Sequence, residues 1–292
     1  MDNNEHKKHQ AQLDVINIGD LVTDVFIKLL DNQAYVHTDE NGQWLSMPFG
    51  TKIPFDSVEV VPGVGNSANT AVAFSRLGFN SALASNIGDD QAGKEMLGNM
   101  HQNNVDSRFI RINPHFKSNI HYVLRYKVER TILIKHEPYE YRWPYLRPSD
   151  MPKWIYLSSV SQHAKDYYDQ LADWLESNPN VKLAFQPGTY QLEAGVQRLS
   201  RIYARSEVVI VNREEAVQIT GGNYDDYHDL LSRIHQLGVK IVVITDGPKG
   251  AVASDGQAVY SMPLYPDPAE KFKDYITKQK FNYELLGFKA QV

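Results

Sequence analysis

A carboxylate, Asp24, lies a few residues beyond the first apolar run of the chain, Leu13 to Ile18. The run ends at Gly19 and is typical of a buried strand that opens an α/β core, where ligands bind beyond the strand ends. A carboxylate at that edge can accept hydrogen bonds from the hydroxyl groups of a polyol. A solvated Asp at the end of a strand would explain the same position without any function.

A glycine-containing segment, Pro62 to Ala71, leads into a predicted helix. Its Gly63 and Gly65 allow the backbone to approach a ligand closely, and the free N–H groups of a first helical turn favour anionic or oxygen-rich groups. The segment also fits the loose Gly-x-Gly-x-x-Ala fingerprint of dinucleotide-binding proteins, which would indicate a nicotinamide-dependent dehydrogenase. The preceding apolar run is short and Pro62 interrupts it, so this is the weaker interpretation. A tight turn that packs a helix on a sheet is the alternative without function.

Two further polar motifs each follow an apolar run in the second half of the chain. Asn212 and Glu215 come directly after Val208–Val211, where a carboxylate can hold a hydrated Mg²⁺ that meets phosphate groups. A helix-capping box between Asn212 and Glu215 explains the same spacing equally well. The turn from Thr245 to Gly250 supplies backbone N–H groups suited to a nucleotide phosphate or ribose, and an ordinary β-turn has the same pattern.

Composition excludes several other kinds of function. A net charge of −5 over 292 residues provides no basic surface for nucleic acid. We expect no membrane partner, because no stretch approaches the ~20 apolar residues that cross a bilayer. The chain has no cysteine and no signal-peptide pattern, which favours a cytoplasmic protein. The ten histidines include no pair at zinc-ligand spacing with a third ligand, and we place His136 and His163 at the surface or in a lid.

The elements that must position these residues alternate between strand and helix. From Trp154 to Ile244, apolar runs of strand length alternate with helical patterns, and such units form a parallel sheet with helices on both faces. Two stretches, about residues 31–61 and 107–136, have the short alternating pattern and turn signals of hairpins. We therefore predict a doubly wound α/β domain over residues 13–265 with a small β-sheet lid, preceded by a polar tail at residues 1–12.

In their order and spacing, these motifs and predicted elements resemble those of the ribokinase-like (PfkB) carbohydrate kinases from about Asp14 to about Pro263. The first family signature carries most of the resemblance, and it is seen here as Gly65-Asn-Ser-Ala-Asn69-Thr-Ala71, then Gly78, Gly88-Asp-Asp90 and Gly93. Val64 stands where the family usually has another glycine, a departure that we expect to narrow the sugar pocket or to change which sugar fits. The resemblance implies a ribokinase-like fold and ATP-dependent phosphorylation of a hydroxyl on a sugar or nucleoside.

The resemblance also implies roles for the polar motifs. The early carboxylate and the glycine turn bind the substrate, and the later motifs bind ATP and Mg²⁺. The residues so assigned are Asp24, Gly65 and Asn69 for the sugar, Glu215 for Mg²⁺, and Asn212, Thr245, Gly247 and Gly250 for the nucleotide. The two hairpin stretches correspond to the family's lid, which closes over the sugar, excludes water and often pairs in a homodimer.

The resemblance fails near the end of the chain. Such kinases carry a Gly-Ala-Gly-Asp turn whose N–H groups form an anion hole for the transferred phosphoryl group and whose Asp takes the proton from the attacking hydroxyl. Residues 266–292 contain no such turn, and Asp267 and Asp274 have no glycine anion hole beside them. We therefore name no catalytic residue, and we expect a truncated or frame-shifted tail and an impaired transferase. A non-catalytic sugar-binding or regulatory protein is the alternative, with a dehydrogenase as the third.

Overall fold

The computed structural model describes residues 12–164 and 166–264. The chain divides into two compact units, Met1–Arg205 and Ser206–Val292. Nearly all of the predicted N-terminal tail, and the whole predicted C-terminal tail with Asp267 and Asp274, lie outside the described residues. Within the described residues, no helix is long and apolar enough to cross a bilayer.

The first unit contains a central sheet, a small second sheet, a separate hairpin and helices. Its strands and helices in chain order are β1 (Val15–Ile18), β2 (Val22–Leu29), β3 (Tyr35–Asp39), β4 (Gly42–Ser46), β5 (Phe55–Val64), α1 (Asn66–Arg76), β6 (Ser81–Gly88), α2 (Gln91–Gln102), β7 (Asp106–Asn113), β8 (Ile120–Tyr126), β9 (Glu129–Lys135), β10 (Trp154–Leu157), α3 (Tyr167–Ser177), β11 (Lys182–Phe185), α4 (Thr189–Arg198) and α5 (Ser200–Arg205).

The central sheet of the first unit is parallel, in the order β11-β10-β1-β6-β7. All four residues of β1 and all eight of β6 are buried, as expected for strands covered on both faces. Helix α1 packs on β1 and β6, and its Ala68 and Ala71 join Leu83 and Met96 in one apolar core. Because these strands are parallel, their carboxyl ends lie at the same edge of the sheet.

The small sheet has the strand order β5-β2-β8-β9. Strand β2 runs antiparallel to β5 and parallel to β8, and β8 and β9 form an antiparallel hairpin. Leu29, Ala34 and Tyr126 form its small buried core, whereas all seven residues of β9 are exposed. The hairpin β3–β4 forms a separate two-stranded sheet. That this region acts as a lid stays a prediction.

The second unit contains two parallel strands, two antiparallel strands and two helices within its described residues. They are β12 (Ser206–Asn212), α6 (Arg213–Thr220), α7 (Tyr227–His235), β13 (Ile241–Thr245), β14 (Ala251–Ser254) and β15 (Val259–Met262). Strands β12 and β13 are parallel, β14 runs antiparallel to β13, and β15 runs antiparallel to β14. Helix α6 begins directly after β12. The polar residues from Asn212 to Glu215 therefore lie at the end of a strand and in the first turn of a helix.

Candidate active site

The end of β1 carries a buried carboxylate, Asp20, which the sequence interpretation missed. Asp20 is 6% exposed, and the hydroxyl of Tyr141 donates a hydrogen bond of 2.6 Å to its Oδ1. Burial raises the pKa of Asp20 to about 7, although the hydrogen bond from Tyr141 acts in the opposite direction. The sequence signal that points to Asp20 is its position, because a carboxylate directly after a buried strand and Gly19 stands where ligands of parallel sheets bind.

Gly65 lies against Asp20. The φ angle of Gly65 is 113°, and a Cβ at this position would come within 2.7 Å of the Asp20 carbonyl oxygen. The hydroxyl of Ser67 donates to that same oxygen at 3.2 Å. The turn therefore requires glycine on both conformational and steric grounds. Asn69 follows in the first turn of α1, where its N–H donates to the Gly65 carbonyl at 2.9 Å and its side chain is exposed.

Asp24 lies on β2 beside a histidine of the neighbouring strand. The register of β2 and β8 pairs Asp24 with His121, and Nδ1 of His121 lies 3.5 Å from Oδ1 of Asp24. Nε2 of His121 in turn lies 3.2 Å from Nε2 of His136. Nδ1 of His136 lies 3.6 Å from Oδ2 of Asp20. These four residues form a continuous row from β2 to the end of β1, which we call the acid–histidine group.

His136 corrects part of the sequence interpretation, which placed it at the surface or in a lid. It follows β9 of the small sheet, yet its side chain is only 6% exposed, because it packs between His121, Asp20 and the ring of Tyr190. Burial, and then the neighbouring His121 and His163, lower the pKa of His136 to about 4. His163 is exposed.

Three buried atoms of the acid–histidine group have no hydrogen-bond partner among the described residues. They are Oδ2 of Asp20, Oδ1 of Asp24 and Nδ1 of His136. Buried polar atoms in folded proteins are nearly always paired, and each one left unpaired costs about 1–3 kcal/mol. The group therefore holds hydrogen-bonding capacity that a polar ligand would satisfy.

In the second unit, the predicted nucleotide residues meet at the ends of two strands. The parallel register of β12 and β13 sets Asn212 directly beside Thr245. Oδ1 of Asn212 accepts the N–H of Glu215 at 2.7 Å, and Oε2 of Glu215 accepts the N–H of Asn212 at 2.8 Å. This reciprocal pair is the capping box that the sequence allowed, and it uses one of the two carboxylate oxygens of Glu215. Burial raises the pKa of the Glu215 carboxyl above its usual value.

Two glycines in the turn after β13 have positive φ angles. Gly247 has a φ angle of 46° and Gly250 a φ angle of 90°. The Asp246 N–H donates to the Gly250 carbonyl at 2.8 Å, which closes the turn. A Cβ at Gly247 would meet nothing within 4 Å, so the backbone there is open to approach, whereas one at Gly250 would collide with the Met262 carbonyl.

A buried arginine, absent from the sequence interpretation, connects α6 to this turn. Arg213 is 4% exposed and lies between the rings of Tyr224 and Tyr227, with its guanidinium carbon 4.1 and 4.4 Å from their centroids. Nη1 of Arg213 binds Oδ2 of Asp246 at 2.7 Å, and the Tyr227 hydroxyl donates to the same oxygen at 2.6 Å. Arg213 therefore ties the helix that starts at Asn212 to the glycine turn.

Comparison with known proteins identifies the family. Residues 36–275 match the pattern of the pfkB family carbohydrate kinases. The chain belongs to this family. Probable fructokinase-7 of Arabidopsis thaliana is 27% identical over 209 residues, which cover 65% of this chain and 59% of that protein. Probable fructokinase-4 of the same plant is 30% identical over 207 residues, which cover 65% of this chain and 61% of that protein.

Solved structures of two sugar kinases show the same fold. The structure of Arabidopsis thaliana ribokinase complexed with ribose and ATP matches with a TM-score of 0.68 at 15% identity, over 95% of this chain and 90% of that one. Halothermothrix orenii fructokinase matches with a TM-score of 0.62 at 21% identity, over 95% of this chain and 94% of that one. The predicted ribokinase-like α/β fold, a large mostly parallel sheet with helices and a small second sheet, is therefore confirmed. This chain spans only 59% and 61% of the length of the two plant fructokinases that it matches.

Part of the PfkB signature serves the structure itself. Asp90 caps α2 by accepting the N–H of Gly93 at 2.9 Å, and its other oxygen accepts the N–H of Ser118 at 3.0 Å. A Cβ at Gly88 would collide with the backbone of Lys117. These residues therefore hold the turn after β6 against the segment that leads to the small sheet.

The structure groups the predicted residues into two sets. Gly65 lies against Asp20, which the acid–histidine group links to Asp24, and Asn69 follows one helical turn later. In the second unit, Asn212, Glu215 and Thr245 lie together, with Gly247 and Gly250 in the adjoining turn. Within residues 12–164 and 166–264, no three acidic or histidine side chains are close enough to hold a metal ion by themselves.

Proposed function

We propose that the first unit binds a sugar at the acid–histidine group and that the second unit binds ATP with Mg²⁺, for phosphoryl transfer to a sugar hydroxyl. The observation that carries this proposal is the set of three buried, unpartnered polar atoms on Asp20, Asp24 and His136, close to a turn that requires glycine. Sugar hydroxyls both donate and accept hydrogen bonds, so they match polar atoms of these kinds. Fructose is the first candidate within the class of sugars and nucleosides, because relatives of this chain include fructokinases.

Each residue of the sugar site has a distinct task. Asp24 accepts hydrogen bonds from sugar hydroxyls, and Gly65 lets the backbone approach the sugar without a side chain in between. Asn69 presents an amide from the first turn of α1. His136 is neutral at pH 7, because its pKa is about 4, and a neutral imidazole offers one donor and one acceptor nitrogen.

The donor set of the second unit fits a magnesium–nucleotide complex. Glu215 supplies a carboxylate and Asn212 an amide, which are oxygen ligands of the kind that Mg²⁺ and its bound waters prefer. A cation beside Glu215 would favour the ionised carboxylate and so oppose the effect of burial on its pKa. Thr245, Gly247 and Gly250 would contact the nucleotide phosphates through the turn backbone. When bound, ATP supplies the phosphoryl group and Mg²⁺ offsets the charge of its phosphates.

We further propose that a polypeptide of these 292 residues binds its ligands but transfers phosphate slowly. Its sequence contains no Gly-Ala-Gly-Asp turn, so it lacks both the expected anion hole and the expected base. A positioned base is worth roughly 10²–10⁴-fold in rate, and one anion-hole donor roughly 10²–10³-fold.

A second copy of this chain is the proposed protein partner. Apolar side chains on one face of the small sheet are largely exposed: Val58 and Val60 of β5, and Leu133 of β9, which the strand register aligns with Val60 through Val25 and Tyr122. Each is more than half exposed, and together they form the kind of apolar surface that soluble proteins normally cover. Pairing of two small sheets would bury these residues in a homodimer.

Binding and turnover measured on the same chain test the proposal. Calorimetric titration with fructose, ribose, glucose and adenosine should show that one of these compounds binds tightly. A separate titration with ATP and Mg²⁺ should show that the nucleotide binds. A coupled assay of ADP release should give a rate far below that of the same chain extended after Pro266 by a Gly-Ala-Gly-Asp segment and its helix. A native chain that releases ADP as fast as the extended chain would contradict the proposed impairment. Binding of NADH without binding of ATP would contradict the kinase assignment and favour the dehydrogenase.

A further inference from the structure

The first unit contains a cavity of about 500 Å³ outside the acid–histidine group. It lies along β6 and β7, where residues 140–147 cover the sheet as an irregular segment without a helix. Neither Asp24 nor the histidines line it. Its volume is in the range of about 300–1,000 Å³ that is typical of small-molecule sites.

Arginines dominate the charged lining of this cavity. Its charged side chains are Arg108, Arg111, Arg142, Arg147 and a single carboxylate, Asp150. Asp150 binds both Arg108 and Arg147, and Arg108 also binds Asp106. Glu140 binds both Arg111 and Arg142. Four guanidinium groups thus share three carboxylates, which leaves an excess of positive charge around the cavity.

Arg111 is the guanidinium of this cavity with the longest hydrogen bonds to its protein partners. Its two hydrogen bonds, to the carbonyl and to Oε2 of Glu140, are 3.4 and 3.5 Å long, at the upper limit for such bonds. Almost half of its side chain is exposed, at 47%. An anion with phosphate geometry would form shorter, paired hydrogen bonds with Arg111 than Glu140 does.

The rest of the lining suits an organic body rather than a bare ion. Phe109, Tyr141 and Tyr167 supply aromatic walls, and Tyr145 stands at the cavity with 85% of its surface exposed. Ser85 also lines the cavity, and its buried Oγ has no hydrogen-bond partner within the described part of the chain. A ligand that satisfies Ser85 and Arg111 together needs a polar end and an anionic end.

We propose that this cavity binds a small phosphorylated organic compound, with its phosphate at Arg111 and Arg142 and its body against the tyrosines. Nucleotides and sugar phosphates share this chemistry, and the experiment separates them. The site differs from the proposed sugar site in every one of its charged residues. Tyr141 is the link between the two, because it lines the cavity and hydrogen-bonds to Asp20.

Calorimetric titration of the full chain with AMP, glucose 6-phosphate and inorganic phosphate tests this site. At least one of the two organic phosphates should bind, and Arg111→Gln and Arg142→Gln should each weaken it about tenfold or more, as expected for a lost charge-assisted hydrogen bond. Tyr145→Ala should weaken the organic phosphate but leave inorganic phosphate unchanged. All three side chains are substantially exposed, so these variants should fold, and thermal unfolding checks that they do.

Arg201→Gln is the matched control, because Arg201 is an exposed arginine that pairs with Asp173 and Glu176 and does not line the cavity. Asp24→Asn separates this proposal from the proposed function, since it should weaken sugar binding and leave phosphate binding intact. The proposal is overturned if neither organic phosphate binds, or if Arg111→Gln binds as tightly as Arg201→Gln. Equal affinity for inorganic and organic phosphate would also overturn it.

Discussion

Tyr141 hydrogen-bonds to Asp20 at 2.6 Å, although the two residues are 121 positions apart in the chain. Both are nearly fully buried, at 8% and 6% exposure. The bond fixes the irregular segment after β9 against the end of β1, where Gly65 also lies against Asp20. Asp20 therefore contacts the segment after β9 through its carboxylate and the glycine turn through its backbone carbonyl, and the protonation state of the carboxylate is central to the first prediction.

Asp20 and His136 should make opposite contributions to the pH dependence of stability. The pKa of Asp20 rises from 3.8 to about 7 on folding, so its contribution is greatest at low pH and falls as the pH rises towards 7. The pKa of His136 falls from 6.5 to about 4, so its contribution is lost as the pH falls below 6.5. In the native chain the two slopes largely cancel between about pH 4 and pH 6.5.

Removing either group should expose the slope of the other. Relative to the native chain, the unfolding free energy of Asp20→Asn should rise with pH over this range and that of His136→Gln should fall. Each slope should reach at most about 1.4 kcal/mol per pH unit, the value for one proton. Urea denaturation at several pH values measures both. Slopes of the same sign in the two variants would contradict the opposite pKa shifts of Asp20 and His136.

Gly65→Ala should destabilise the first unit and weaken sugar binding. The added Cβ meets the Asp20 carbonyl at 2.7 Å, and the φ angle of 113° disfavours any side chain. Such strain costs about 1–3 kcal/mol, which thermal or urea unfolding detects. Gly98→Ala is the control, because Gly98 lies within α2 and its Cβ would meet nothing within 4 Å. We expect that variant to be neutral or up to about 1 kcal/mol more stable.

Asp24→Asn should lower sugar affinity about tenfold or more with little effect on folding. The carboxylate is 23% exposed and its Oδ1 has no hydrogen-bond partner among the described residues, so little native structure depends on it. Losing a charged acceptor for sugar hydroxyls costs roughly 1.5–3 kcal/mol of binding. Calorimetry with the tightest sugar measures the change. Asp31→Asn, at an exposed turn, serves as the control, and equal affinities in the two variants would exclude Asp24 from the site.

Glu215→Gln separates a metal-binding role from helix capping. A glutamine can still accept the Asn212 N–H, so the capping box and the stability should survive. Affinity for ATP measured with Mg²⁺ should nevertheless fall, and affinity without Mg²⁺ should change little. Asn212→Ala provides the comparison, because it removes the cap and should cost about 1 kcal/mol of stability. Unchanged Mg²⁺-dependent affinity in Glu215→Gln would leave the motif with a structural role alone.

Leu133→Lys should convert a dimer into a monomer if the small sheets pair. Leu133 is 53% exposed on β9, so a lysine there is tolerated by the monomer but places two like charges in the interface. Analytical ultracentrifugation of the native chain and of the Leu133→Lys variant measures the change in mass. Leu77→Lys, an exposed position at the end of α1, should leave the mass unchanged. A native chain that is monomeric at all concentrations would rule out the homodimer.

Local patterns in the sequence correctly indicated the fold and several parts of the candidate site. The apolar runs of β1 and β6 predicted buried parallel strands, and both are fully buried. The Asn212–Glu215 spacing allowed a capping box, which forms. Such features depend on residues within a few positions of one another, so backbone geometry and periodicity are sufficient to predict them.

The sequence by itself determined the family, the ribokinase-like fold and the glycine turns, because these depend on local spacing. Only the tertiary structure decided that Asp20 is buried beside Tyr141 and that His121 and His136 connect Asp24 to it. The same applies to the arginine-lined cavity, whose residues come from separate strands and a loop. The burial, pKa and hydrogen-bond partners of a side chain depend on which distant residues surround it in the folded protein. The spacing of residues along the sequence does not specify those neighbours.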